Sequence, residues 1–349
     1  MRIFTVSLVI LIVLVLGGIL LFRFGQMGQV EEQVSSQLQD IKEAVLPESP
    51  LSIKGMREKE YPGSDLIIEE TLSPGSNYQR FLVSYRSDGL KINGLLTVPN
   101  GTPPENGWPA IVFNHGYIPP DVYRPTERYI AYTDAFSRSG YVLLRPDYRG
   151  HADSEGSPEG AYFSPGYTID VLNAYSSLSK RADVNKDKIG MGGHSMGGNI
   201  IQRALVINPD IKAAVVWGGV VGSYNDMFAF WWNRRSPQPQ SSSGVMGRTN
   251  SRQAFTSRYG SPSAESPFWQ QIDPAFYIAD IKTPIQIHHG LTDETVPWQL
   301  GEQFKKLLEQ NQKTVEYFTY PGADHDISSP SFEVAMQRSV AFFDKFLKS

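Results

Sequence analysis

The sequence predicts an α/β fold: a mostly parallel, eight-stranded sheet with helices on both faces and a lid insertion, preceded by an N-terminal transmembrane helix. Three observations carry this. From residue 110 onward, short apolar runs alternate with helical ones, the rhythm of parallel strands covered on both faces by crossover helices. At one strand–helix junction stands Gly193-His194-Ser195-Met196-Gly197, where a sharp turn brings backbone too close for a Cβ at the glycine positions. Residues 3–22 are almost uninterruptedly apolar, and at about 1.5 Å per residue they reach about 30 Å, the thickness of a bilayer's hydrocarbon core.

In chain order, residues 1–24 are read as the membrane anchor. A cleaved signal peptide would have a shorter apolar region and a small-x-small cleavage site, whereas Phe22-Arg23-Phe24 follows this run. Arg2 and the terminal amine before the span, against Arg23 after it, give a small bias towards an internal N-terminus. That makes the chain single-pass, with its catalytic domain extracytoplasmic. Residues 25–64 form a polar helical linker. Val30, Val34, Leu38, Ile41 and Val45 recur at helical spacing, and Pro47 and Pro50 end the helix. The remaining domain spans 65–349. Segments 66–72, 78–85 and 91–98 read as antiparallel strands separated by turn residues. Strands at 110–114, 141–145, 188–191, 213–217, 284–289 and 314–319 then alternate with helices at 126–138, 167–180, 196–207, 299–309 and 331–347. Nine segments thus carry strand character, for a sheet expected to hold eight. Residues 221–282 break the alternation with a cluster of aromatics and a polar stretch at 236–244. An insertion of this length in a compact domain is usually functional, and it reads as a lid.

Composition narrows the chemistry. The 349 residues contain no cysteine, which excludes disulfides, thiolate zinc sites and thiol catalysis. A formal net charge of −4 provides no basic footprint for nucleic acid. Asp183-Val-Asn185-Lys-Asp187 imitates the start of a calcium loop, but Lys188 and His194 stand where glycine and glutamate are needed. No metal and no cofactor is expected.

The serine in Gly193–Gly197 gains its meaning from context: a strand runs into it and a helix runs out, the strand–turn–helix elbow that such a motif requires. A serine hydroxyl needs a base. Of six histidines, His325 alone follows the last strand, which fits the chain order serine, acid, histidine. His194 flanks the serine, His115 and His151 lie in earlier loops, and His288 and His289 precede the acid and read as packing or loop hydrogen-bonding residues. Asp293, at the end of the strand 284–289, is the candidate acid that orients the imidazole, with Glu294 as its neighbouring alternative. The oxyanion needs two aimed donors. The backbone N–H of Met196 and that of Tyr117, in the loop after 110–114, are assigned to it. Phe228, Trp231, Trp232 and Phe268 in the lid are candidates to line a substrate pocket.

On His115-Gly116-Tyr117, Pro146-Asp147-Tyr148-Arg149-Gly150, Gly193-His194-Ser195-Met196-Gly197-Gly198, Gly290-Leu-Thr-Asp293 and Gly322-Ala-Asp324-His325, the chain from about Asp65 to Ser349 resembles the α/β-hydrolase superfamily, in particular the catalytic domain of the prolyl oligopeptidase and dienelactone hydrolase groups. The resemblance implies the same roles for Ser195, Asp293 and His325. Oligopeptidase-type members carry a β-propeller ahead of this domain, for which residues 1–64 are too few. The expectation is therefore a membrane-anchored serine hydrolase that cleaves small carboxylic esters through an acyl-enzyme. The alternative is a small serine exopeptidase or acylaminoacyl-peptidase-like hydrolase acting on short peptides with the same triad.

Overall fold

The computed structural model describes residues 49–232 and 244–349, with the side chains of 244–251 left aside. The anchor at 1–24 and most of the linker lie outside the described residues. Among the described residues, no helix is long and apolar enough to cross a membrane.

One sheet organises the unit Pro50–Ser349. Its strands are β1 (Ile67–Leu72), β2 (Tyr78–Ser87), β3 (Leu90–Pro99), β4 (Trp108–Asn114), β5 (Val142–Pro146), β6 (Val184–His194), β7 (Ala214–Trp217), β8 (Ile285–Gly290) and β9 (Val315–Tyr320). They are ordered β1-β2-β3-β5-β4-β6-β7-β8-β9. Pairing is antiparallel from β1 to β3 and between β3 and β5, and parallel from β5 through β9. The ninth strand, against eight expected, is β1. It is an edge strand with Ile67 and Ile68 exposed, held by its backbone ladder to β2 and not by burial; the segment 66–72 read as a strand is this ninth one.

The central parallel strands are buried on both faces. Ala110 and Val112 of β4 face a core shared with α3 (Gly166–Ser179), α4 (Met196–Ile207) and α8 (Trp298–Gln310), while Ile111 and Phe113 face one shared with α2 (Ile130–Arg138) and α9 (Ser331–Phe343). This two-sided burial makes these strands near-continuous apolar runs. The pattern places the start of the domain at residue 65; the structure adds residues 50–64 to it. α1 (Ile53–Glu58) buries Leu51, Ile53 and Met56, three side chains worth roughly 2 kcal/mol each.

Helix α2 starts at Ile130 and not at residue 126, because Tyr129 takes a left-handed backbone (φ 57°, ψ 26°), a conformation uncommon for a bulky residue. Residues 221–282, inserted between β7 and β8, are mostly helical where described. α5 (Tyr224–Asp226) runs into a π-helical turn Met227–Trp232, followed by α6 (Gly244–Tyr259), α7 (Pro267–Ile272) and a 3₁₀ turn Pro274–Asp280. Leu51 packs into the base of this insertion with Val220, Tyr224, Met227, Trp269, Val296 and Leu300.

Candidate active site

The candidate catalytic and oxyanion residues lie in the segments that follow the carboxyl ends of β4, β6, β8 and β9, the edge where ligands bind in such sheets. β6 ends at His194 and α4 begins at Met196, leaving Ser195 alone at the turn with φ 56° and ψ −118°. Strain of this kind persists only where its surroundings over-determine it. Here the Ser195 N–H donates to the Trp217 carbonyl (2.9 Å), and its own carbonyl accepts from Gly198 (2.9 Å) and Val220 (3.0 Å). The elbow glycines are steric necessities: a Cβ on Gly197 would lie 2.1 Å from the Asn114 carbonyl oxygen, and one on Gly193 would lie 3.0 Å from it. The positive end of the α4 dipole lies at Ser195.

Asp293 and His325 are brought together. His325 Nδ1 lies 2.7 Å from Asp293 Oδ2, and the other carboxylate oxygen accepts the N–H groups of Thr295 and Val296, both at 2.8 Å. His289 Nε2 is a fourth neighbour, 3.2 Å from Oδ2 and 3.0 Å from the Val296 carbonyl. Burial raises the Asp293 carboxyl, but the hydrogen bonds from His289 and His325 and the N–H of Val296 outweigh it and hold the group well below the usual carboxylate range. Glu294 is exposed. His289 reads in the sequence as a packing or loop hydrogen-bonding residue; its position four residues before Asp293 is the signal that places it on the same carboxylate. Gly218, just past β7 with φ 49°, completes the fit: a Cβ there would stand 2.9 Å from the His325 carbonyl oxygen and 3.5 Å from Asp293 Oδ2.

The loop after β4 lies against the elbow, since a Cβ on Gly116 would be 3.0 Å from the Ser195 Cβ. His115 Nδ1 is 2.7 Å from the Gly116 carbonyl. Because the peptide is planar and trans, fixing that carbonyl also fixes the direction of the Tyr117 N–H. The His115 ring is itself held between Tyr123 (4.5 Å) and Tyr148 (4.2 Å), and burial pushes it down to about 3, so it is neutral. Tyr148 donates to the His115 carbonyl (3.1 Å), and Arg149 grips Asp170 through Nε (3.0 Å) and Nη2 (2.8 Å). The segment 147–151 therefore supports this loop from beneath. Tyr117 is exposed and Met196 is buried; both follow backbone turns that border Ser195.

The lid candidates separate. Trp231 donates from Nε1 to the Thr295 carbonyl (2.7 Å), two residues beyond Asp293. Trp231 and Trp232 stack on each other at 5.9 Å, both meet Tyr162 edge-on, and Phe228 meets Trp232 edge-on. All of these lid residues are half-buried. Phe268 is buried, with Tyr259 parallel over it at 3.7 Å and Trp269 at 5.6 Å. The structure therefore puts it in the packing of the lid and not on a pocket wall.

Strand order, the serine elbow and the covered parallel sheet are those of the α/β-hydrolase fold, and the protein is a serine hydrolase. The prolyl oligopeptidase family model matches residues 129–349, and the chain belongs to that family. It is 26% identical over 263 residues to the uncharacterized peptidase YtmA of Bacillus subtilis (strain 168), covering 74% of this chain and 92% of that one. Among solved structures, an acetyl xylan esterase from Paenibacillus sp. R4 superposes with TM-score 0.60 at 18% identity, over 83% of this chain and 91% of that one. The acylaminoacyl peptidase of Pyrococcus horikoshii superposes with TM-score 0.60 at 18% identity, over 78% of this chain but 43% of its own.

Proposed function

We propose that the protein hydrolyses carboxylic esters through an acyl-enzyme on Ser195, with His325 as general base and Asp293 as the orienting acid. The observation that carries this reading is the 2.7 Å bond between His325 Nδ1 and an Asp293 carboxylate held ionised. With its Nδ1–H committed to Asp293, the imidazole keeps the Nε2 lone pair to take the Ser195 proton as Oγ attacks the carbonyl carbon. The N–H groups of Tyr117 and Met196 receive the oxyanion. His325 then returns the proton to the departing alkoxide, and a water activated by the same nitrogen releases the acid. Asp293 stabilises the imidazolium in both steps. Phe228, Trp231 and Trp232 contribute the apolar side of the pocket.

A small ester substrate is supported by the match to an esterase over 91% of its length. A second reading, a small exopeptidase or acylaminoacyl-peptidase-like hydrolase, is favoured by the family itself and by the relative described as a peptidase. A panel of nitrophenyl esters beside aminoacyl anilides, with Ser195→Ala as control, separates them. Ester turnover that vanishes in the control is expected; anilide turnover at comparable kcat/KM moves the assignment to the second reading. The apolar run 3–22 is proposed as a single-pass anchor with the catalytic unit outside the cytoplasm. Full-length protein should stay with membranes in carbonate, and its release, or a mature N-terminus beyond Phe24, overturns that proposal.

A further inference from the structure

Tyr129 has no part in the reaction as written, yet its left-handed backbone delays the start of α2 and brings its hydroxyl into the site. The Gly116 N–H donates to that oxygen (2.8 Å), and His194 Nδ1 lies 2.9 Å from it. On the other edge of the same ring, His194 Nε2 lies 3.1 Å from the His325 carbonyl oxygen, with Asp326 Oδ1 at 3.5 Å. These contacts fix every proton. A carbonyl only accepts, so His194 Nε2 carries the hydrogen. The ring is buried and pushed down to about 3 by that burial and by His325, so it is neutral and Nδ1 is bare. Nδ1 therefore accepts from the Tyr129 O–H, whose oxygen accepts from Gly116.

The result is a one-way chain from the oxyanion loop, through the elbow, to the main chain of the base. The segments it joins are 13, 65 and 131 residues apart along the three links. The rings of His194 and His325 stand 4.6 Å apart, and His194 is covalently the residue before Ser195. Building on the triad reading above, we propose that Tyr129 and His194 are positioning residues that hold the oxyanion loop at Gly116 and the His325 backbone in register with Ser195. Neither touches substrate, and neither exchanges its proton.

The test compares Tyr129→Phe with Tyr132→Phe, which also loses a buried hydroxyl, one that reaches only the Asp326 carbonyl at 3.4 Å. Tyr129→Phe should lower kcat by about 10- to 100-fold, the scale of a small misplacement of reacting groups, with KM little changed. Tyr132→Phe should leave kcat near wild type. His194→Leu should lose as much as Tyr129→Phe, and the double variant no more than the worse single, because both break one chain. His194→Gln should recover most of the rate, since its amide can donate to the carbonyl and accept from the phenol. In ¹⁵N-histidine spectra, His194 should be the Nε2–H tautomer, with an Nδ1 resonance that moves in Tyr129→Phe. Wild-type kcat in both Tyr129→Phe and His194→Leu, fully additive losses, or an Nδ1–H tautomer would overturn the proposal. If Tyr129→Phe does not fold, the His194→Leu and His194→Gln pair decides the matter. Fluorophosphonate labelling retained in Ser195→Ala would instead remove the triad reading itself, so the two failures are distinguishable.

Discussion

The floor of the site and the lid above it are held in different ways. In the floor, the loops after β4, β6, β8 and β9 are tied to one another by short polar bonds: Gly116 to Tyr129, His194 to the His325 carbonyl, His325 to Asp293. In the lid, half-buried rings of Phe228, Trp231 and Trp232, with Tyr162 beside them, lean on each other at 5.4–6.2 Å, and Trp231 donates to the Thr295 carbonyl of the floor. Directional bonds fix positions to fractions of an ångström, whereas ring packing fixes an average. The floor is suited to chemistry that fails on small displacements, and the lid to accepting acyl groups of different size. Variants in the two regions should therefore fail differently: floor variants in rate, lid variants in selectivity.

The largest effects belong to the floor. Ser195→Ala should lower kcat by about 10⁶-fold and abolish fluorophosphonate labelling, and His325→Ala should do nearly the same, because the two act as a unit. Measured together, the double variant should be no slower than the slower single. A double loss close to the product of the singles would mean that the two residues do not work on one proton.

Asp293→Asn should fold and lose about 10⁴-fold in kcat, because an amide can present its N–H to Nδ1 and stabilise the wrong tautomer. A loss below about tenfold, far short of that triad expectation, would transfer the role to Glu294. The variant also has a pH signature. The Asp293 carboxyl is depressed in the folded state. Its contribution to stability is therefore fully present above the unfolded carboxylate value of about 3.9 and is lost as pH falls through the lower folded value. Acid unfolding of wild type and Asp293→Asn, followed by circular dichroism, should diverge above about pH 4 and converge below it. Curves that stay parallel throughout would mean that Asp293 is not held ionised by its neighbours.

The same contrast explains what could be read from the sequence. Ser195, Asp293 and His325 stand out in the sequence as candidates because each lies in a segment between a strand and the following helix, so local pattern and chain order pick them out together. Tyr129 and Gly218 do not. Their roles depend on where other strands end: Tyr129 meets His194 across 65 residues, and Gly218 matters only because the Asp293–His325 pair stands against it. In the lid, α6 carries a mostly polar sequence with Phe255 among Arg, Ser, Thr and Gln, so no helical stripe announces it. Phe268 looks like any other aromatic of the insertion until Tyr259 is seen to cover it.

Selectivity is the expected response of the lid. Trp232→Ala and Phe228→Ala should change the ratio of kcat/KM between short- and long-chain esters by about 10- to 200-fold, the value of pocket contacts worth about 1–3 kcal/mol. Phe268→Ala should lower thermal stability without altering that ratio, because its ring packs on Tyr259 and Trp269. Equal losses on every ester from Trp232→Ala and Phe228→Ala, together with a lower Tm, would assign these residues to packing and place the pocket elsewhere.

The smallest effect tests a place where the two regions meet. Trp231→Phe keeps a ring in the stack but removes the N–H that reaches the Thr295 carbonyl. The same Thr295 donates its own N–H to Asp293 Oδ1, so this lid contact reaches the acid through Thr295. One hydrogen bond of about 0.5–1.5 kcal/mol is at stake. If the floor is held by its own bonds, that energy appears in lid closure, and KM for long-chain esters should rise by about 2- to 10-fold while kcat and the acid-unfolding curve stay at wild type. A fall in kcat of the same size on every substrate, with an acid-unfolding curve displaced towards that of Asp293→Asn, would show that Trp231 holds the acid loop in place. The lid would then belong to the mechanical frame of the site and not only to its pocket.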